Sequence, residues 1–127
     1  MTWFRWSVLL GGIAGSAGVG LGALNTHAFS HRLDAHALAT LDTVSRYLLI
    51  HGLLLLVIAG WQRTYPDAIA LKVGSSLAAI GIVLFCGGLS ASTLGSAPVF
   101  GQAAPLGGSA LMGAWLACAV FAATRLR

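Results

Sequence analysis

Four histidines, Tyr47 and Asn25 are the residues of this chain best equipped for chemistry. His27, His31 and His36 fall within ten residues, and His51 follows Tyr47 at a spacing of four. An imidazole can ligate a metal, relay a proton or hold two hydrogen bonds at once. His27 and His31, four apart, would share one side of a helix and could offer two nitrogens to one ion if the helix extended that far. As loop residues they would simply be solvated, which is also the reading for His36 beside Asp34. His27, His31 and His51 are therefore the candidate metal ligands. The sharper expectation joins His27, His51, Tyr47 and Asn25 in one polar cluster, with His27 and His51 facing each other across two helices near the outer third of a membrane. Such a cluster would either hold the helices together through hydrogen bonds or form a site for a metal, a proton or a small solute.

The elements that must position these residues follow from composition. The chain has 127 residues, of which 57% are hydrophobic and 8% charged. A soluble domain carries roughly 25% charged residues, so this sequence cannot cover itself with an aqueous surface. Between Trp6 and His31 there is no acid, lysine or arginine, and from Val73 to Thr124 there is none either. The first stretch suits one span of about 20 residues; the second suits two, divided at Gly95-Ser96-Ala97-Pro98. A cleaved signal peptide would also explain Arg5 followed by an apolar run, but the run continues well past the small residues Gly15-Ser16-Ala17. The expectation is a single all-α transmembrane domain over 1–127. It is an antiparallel four-helix bundle with helices at about 6–28, 35–61, 70–93 and 104–124. Asp34 is placed to cap the second helix, Asp42 and Arg46 to pair across one turn, and Pro105 to sit in the first turn of the fourth.

Small residues recur on helical faces: Gly11, Gly15, Gly18 and Gly22 in the first helix; Gly74, Ala78, Gly81, Phe85, Gly88 and Ser92 in the third. In the fourth they are Gly107, Ala110, Ala114 and Ala117. In a bilayer such stripes let backbones approach closely, which argues for Gly/Ala-packed helices and against room for a bis-histidine haem. The bulky run Leu53 to Ile58 reads as lipid-facing. Arg5, Arg63, Lys72, Arg125 and Arg127 fall on one side of four spans, Arg32 and Arg46 on the other. The positive-inside rule then puts both termini in the cytoplasm. Cys86 and Cys118 would differ in depth by more than the ~7 Å a disulfide can bridge. The net charge of +4 is spread out, without the clustered Lys/Arg and interleaved aromatics of a nucleic-acid surface.

Taken in order, several segments resemble the small inner-membrane family typified by YgdD and YwdK, a UPF0382-like family of unknown function with mitochondrial transmembrane relatives. They are Gly22-Ala23-Leu24-Asn25-Thr26-His27, Tyr47-Leu48-Leu49-Ile50-His51, and Gly81-Ile82-Val83-Leu84-Phe85-Cys86-Gly87-Gly88. Pro105-Leu106-Gly107-Gly108 with Gly113-Ala114-Trp115 completes the set. Leu24-Asn25-Thr26 stands where the family pattern has Phe-Gly-Ala, and Gly87-Gly88-Leu89-Ser90 where it has Ser-Gly-Ser-Leu-Tyr. The resemblance implies four helices in a bacterial inner membrane and no established activity.

No carboxylate lies inside a span, no nucleophile motif is present, and the glycine segments follow no strand. The expected function is therefore non-enzymatic and without cofactor: an accessory or scaffold protein whose partners are the lipid bilayer and a homo-oligomer or larger membrane complex, with no nucleic acid. The alternative is a homo-oligomeric channel or carrier for a small ion or metal using His27, His51 and Tyr47.

Overall fold

Two charged loops and one glycine–proline turn cut the chain into four helices that run alternately up and down. The computed structural model describes residues 2–95 and 97–126. Ser96, in the expected turn, and Arg127, one of the counted basic residues, lie outside the described residues. The first helix is Trp3–His27 and the second Ala35–Thr64. The third runs Ile69–Leu94 and the fourth Pro98–Arg125, and all four are long and apolar enough to cross a membrane. The fold is an all-α membrane bundle.

Local chemistry explains the ends. Asp34 caps the second helix, its Oδ1 accepting from the Ala37 amide at 2.8 Å. Asp42 and Arg46 pair at 3.0 Å on the exposed side of the same helix, so the arginine enters the membrane partly neutralised. That helix continues past the expected residue 61 to Thr64, because no breaker occurs before Pro66. The third helix is not a uniform α-helix: a π-helical segment, Ile82–Gly87, separates Ile69–Gly81 from Gly88–Leu94. A 3₁₀ stretch, Pro98–Ala103, leads into the α-helix Ala104–Arg125, with Pro105 in its first turn.

Lipid chains are as apolar as leucine, so helices here associate through close packing and hydrogen bonds rather than a hydrophobic driving force. The first and second helices meet backbone to backbone. A β-carbon on Gly11 would fall 2.8 Å from the Gly52 carbonyl oxygen, and one on Gly52 would fall 2.9 Å from that of Gly11. Gly18 approaches the Ser45 carbonyl within 3.0 Å on the same terms, and Gly22 the Ser45 hydroxyl. Gly15 departs from the expected stripe: a β-carbon there meets nothing within 4 Å. Ala14 occupies the interface between Gly11 and Gly18 instead, and it is buried. The third and fourth helices close the same way. Gly81 lies under Leu111, Gly107 under the Phe85 backbone, Gly88 under the Phe100 carbonyl, and Ala114 is fully buried.

The second helix also packs against the third. Leu54, Leu55 and Ile58 therefore join Leu71, Ala78, Ala114 and Phe121 in the core, where the sequence pattern suggested a lipid-facing run. Leu55 and Ile58 are fully buried, while Leu53 and Val57 stay exposed. Hydropathy alone cannot separate these two groups, because core and lipid are both apolar.

Candidate functional site

His51 sits in the middle of the second helix, about 24 Å from its start and about 20 Å from its end at 1.5 Å per residue. It is the one buried histidine among the described residues, and both ring nitrogens are engaged. Nδ1 lies 2.9 Å from the Tyr47 carbonyl oxygen, one turn earlier. The indole Nε1–H of Trp115, on the fourth helix, donates to Nε2 at 3.2 Å. A carbonyl can only accept, so Nδ1 carries the hydrogen; an indole can only donate, so Nε2 offers its lone pair. The geometry thus selects one neutral tautomer with no lone pair left for a metal.

An aromatic wall surrounds this pair. The Tyr47 ring is 5.4 Å from His51 and stacks on Phe85 at 4.5 Å with an interplanar angle of 18°. Trp115 meets His51 edge-on, 6.2 Å between centroids. Phe85 belongs to the π-helical segment, whose extra residue per turn re-aims the side chains that follow it. Cys86, next along, is buried, and its thiol points at the Val44 carbonyl at 3.9 Å. Cys86 and Cys118 are both free thiols.

The expected meeting of His27 with His51 does not occur. Gly52 touches Gly11, which fixes His51 at the level of the first turns of the first helix. His27 ends that helix 16 residues later, about 24 Å along the axis. His27, His31 and His36 are all exposed at the loop end of the bundle. Among the described residues no group of three or more His, Cys, Asp or Glu is placed to hold a metal, so the His27/His31/His51 ligand set is not assembled. Asn25 serves elsewhere: its Nδ2 donates to the Leu38 carbonyl at 3.0 Å, stitching the first helix to the second, and its Oδ1 is buried without a partner. Of the expected cluster only Tyr47 and His51 come together. Trp115, the actual partner of His51, was visible in the sequence only as part of Gly113-Ala114-Trp115.

A second polar centre was missed altogether. Gln62, one residue beyond the expected end of the second helix, is buried inside that helix. Its Oε1 accepts from the Ser7 hydroxyl at 2.8 Å; its Nε2 donates to the Ser75 hydroxyl at 2.9 Å and the Leu71 carbonyl at 3.1 Å. Ser75 in turn donates to the Lys72 carbonyl at 3.1 Å. One amide thereby joins three helices. The available signal was spacing, since His51, Leu55, Ile58 and Gln62 fall on one face at intervals of four, three and four.

With this geometry established, comparison with known proteins is informative. Residues 21–108 match the family model described as "Protein of unknown function (DUF423)". The chain belongs to the DUF423 family. Among relatives of this DUF423 chain, a UPF0382 membrane protein of Haemophilus influenzae is 33% identical over 101 residues, 80% of each chain. The UPF0382 membrane protein YwdK of Bacillus subtilis is 30% identical over 115 residues, covering 91% of this chain and 94% of its own. The Staphylococcus saprophyticus UPF0382 membrane protein SSP2132 is 30% identical over 109 residues, 86% and 89% of the two chains. No solved structure matches. The YwdK-type resemblance read from the sequence is thus the family itself, an uncharacterised family of membrane proteins.

Proposed function

We propose that this protein is a non-enzymatic accessory or scaffold of the bacterial inner membrane, working through its helix faces. The observation that carries the reading is His51. An ionisable residue inside a membrane ordinarily marks a pathway or a site, yet here both ring nitrogens are used to tie the second helix to itself and to the fourth. Gln62 is used the same way, between the first, second and third helices. These two side chains thus serve assembly. The alternative, a metal or small-ion carrier through His27, His51 and Tyr47, loses its geometry because His27 stands about 24 Å away along the axis.

The five-to-two count of basic residues supports cytoplasmic termini. The partners of such a scaffold are the bilayer, further copies of itself or a larger membrane complex. Purification in mild detergent with metal analysis tests the whole reading. Co-isolated membrane proteins or a defined homo-oligomer without stoichiometric metal is the expected result. A bound metal lost on His51→Gln would overturn it. A cytoplasm-specific reporter at the carboxyl terminus should be active, and activity of a periplasm-specific one would reverse the topology.

A further inference from the structure

Where the second, third and fourth helices diverge they leave a groove of about 480 Å³, within the size range of small-molecule sites. Its lining includes Tyr47, His51, Phe85, Gly108, Met112 and Trp115. Tyr47 lies about 18 Å from the start of the second helix and about 26 Å from its end, well inside the span. The groove therefore lies along a helix long and apolar enough to cross the membrane.

Its polar groups are not equally satisfied. His51 and the Trp115 indole use each other. The Ser109 hydroxyl donates to the Pro105 carbonyl at 3.0 Å. The Tyr47 hydroxyl bonds to no described residue and is not buried, and Tyr47 lines the groove. Within a bilayer a hydroxyl without a partner is costly, so a ligand group that accepts from it is favoured. The walls favour one ligand shape. Tyr47 and Phe85 present stacked rings and Trp115 a third, all suited to a flat ring. Phe85 is held in place because Gly107 packs directly beneath its backbone. Gly108 leaves the floor bare: a β-carbon there meets only the Phe85 ring edge, at 3.8 Å.

We propose that this groove binds a membrane-soluble molecule with a flat, carbonyl-bearing ring, of the quinone class. The Tyr47 hydroxyl donates to its carbonyl and the Phe85 and Trp115 rings flank it. This goes beyond the scaffold reading and does not depend on it. A second cleft with polar lining, between the first and third helices, makes no such demand on its hydroxyls. Its Ser7, Ser75 and Ser76 hydroxyls all have partners already.

The test uses the full chain in phospholipid nanodiscs, with Trp3, Trp6 and Trp61 replaced by phenylalanine so that Trp115 is the reporter. Titration with a decyl-substituted benzoquinone should quench Trp115 saturably. Tyr47→Phe should weaken the midpoint about tenfold, the worth of one hydrogen bond in this setting. Gly108→Leu, which fills the floor without striking backbone, should abolish the saturable phase while the bundle stays folded by circular dichroism. Linear quenching that is identical in all three proteins would overturn the proposal. So would native mass spectrometry showing a phospholipid retained by the parent, lost in Gly108→Leu and not displaced by the quinone. In that case an ester carbonyl, not a ring, fills the groove.

Discussion

His51 and Gly52 are neighbours in sequence, about 100° apart around the second helix, and meet different helices, the fourth and the first. On the Gly52 side the first helix lies against the second almost backbone to backbone, carbonyl against glycine at Gly11, with only Ala14 and the flank of Leu56 beside the contact. The Ser45 hydroxyl closes that seam by donating to the Gly18 carbonyl at 2.7 Å. On the His51 side the contact with the fourth helix is made by the tips of long side chains, imidazole to indole, and space is left beside it. In lipid, where apolar surface gains nothing by leaving the solvent, the first kind of contact is dense and maximises dispersion. The second is directional and leaves a cavity. The difference teaches where each property belongs: cohesion on the glycine face, specificity and any ligand on the aromatic one.

The strongest way to break this contrast is to put bulk into the seam. Gly52→Leu must displace the Gly11 carbonyl and the Gly15 amide, 2.9 and 3.0 Å from the new β-carbon. Backbone cannot rotate away as a side chain can. A loss of about 3 kcal/mol or more is expected, read as a lowered midpoint of unfolding in sodium dodecyl sulfate titration. Gly15→Leu, one turn away on the first helix, should cost almost nothing, because its β-carbon enters open space. Equal losses for the two would remove the distinction between the faces.

Gln62→Leu comes next in size. It leaves Ser7 with only its bond to the Trp3 carbonyl at 3.2 Å and Ser75 with only Lys72. Three buried hydrogen bonds disappear with the amide, each worth about 0.5–1.5 kcal/mol net, so a loss of ~2 kcal/mol is expected in the same titration. Gln62→Glu should be worse, since it buries a charge without a counterion. A neutral outcome for Gln62→Leu would mean that the seam needs no polar reinforcement at this end.

Much of this architecture was legible beforehand, for a physical reason. Long uncharged runs admit few structures in a bilayer, so the four helices, the Asp34 cap and the Asp42–Arg46 pair could be read directly. What resisted reading was the facing of individual residues. Leu53 and Leu55 are the same residue type two positions apart, yet one meets lipid and the other is fully buried. Gly15 fits a glycine stripe as well as Gly18 does, and only the crossing of two particular helices decides that Ala14 takes its place. Tyr47 and His51, four apart, are readable as neighbours on one helix face, but whether His27 joins them depends on the vertical register. That register is set by the Gly11–Gly52 contact, which no local pattern reveals.

His51→Leu should fall below Gln62→Leu in effect, because only the Trp115 indole, itself half-exposed, loses its partner. A cost of about 1 kcal/mol is expected. His51→Gln, whose amide oxygen can still accept from that indole, should recover part of it. If His51→Leu instead proved more damaging than Gln62→Leu, the aromatic face would be contributing as much cohesion as the glycine seam.

The smallest effect on stability is expected at Tyr47, and it is the most discriminating. Removing a hydroxyl that has no protein partner takes away a desolvated group and breaks nothing, so Tyr47→Phe should leave the unfolding midpoint in ligand-free detergent within about 0.5 kcal/mol of the parent. Its ring stays stacked on Phe85. In the presence of excess decyl-benzoquinone the two proteins should separate. A ligand that binds only the folded state stabilises it by an amount set by its concentration relative to Kd, and a tenfold weaker site then forfeits about 1.4 kcal/mol. The variant should therefore match the parent without ligand and trail it with ligand. A loss of stability already present without ligand would show that the hydroxyl has a structural partner, and the aromatic face would then be a second seam and not a site.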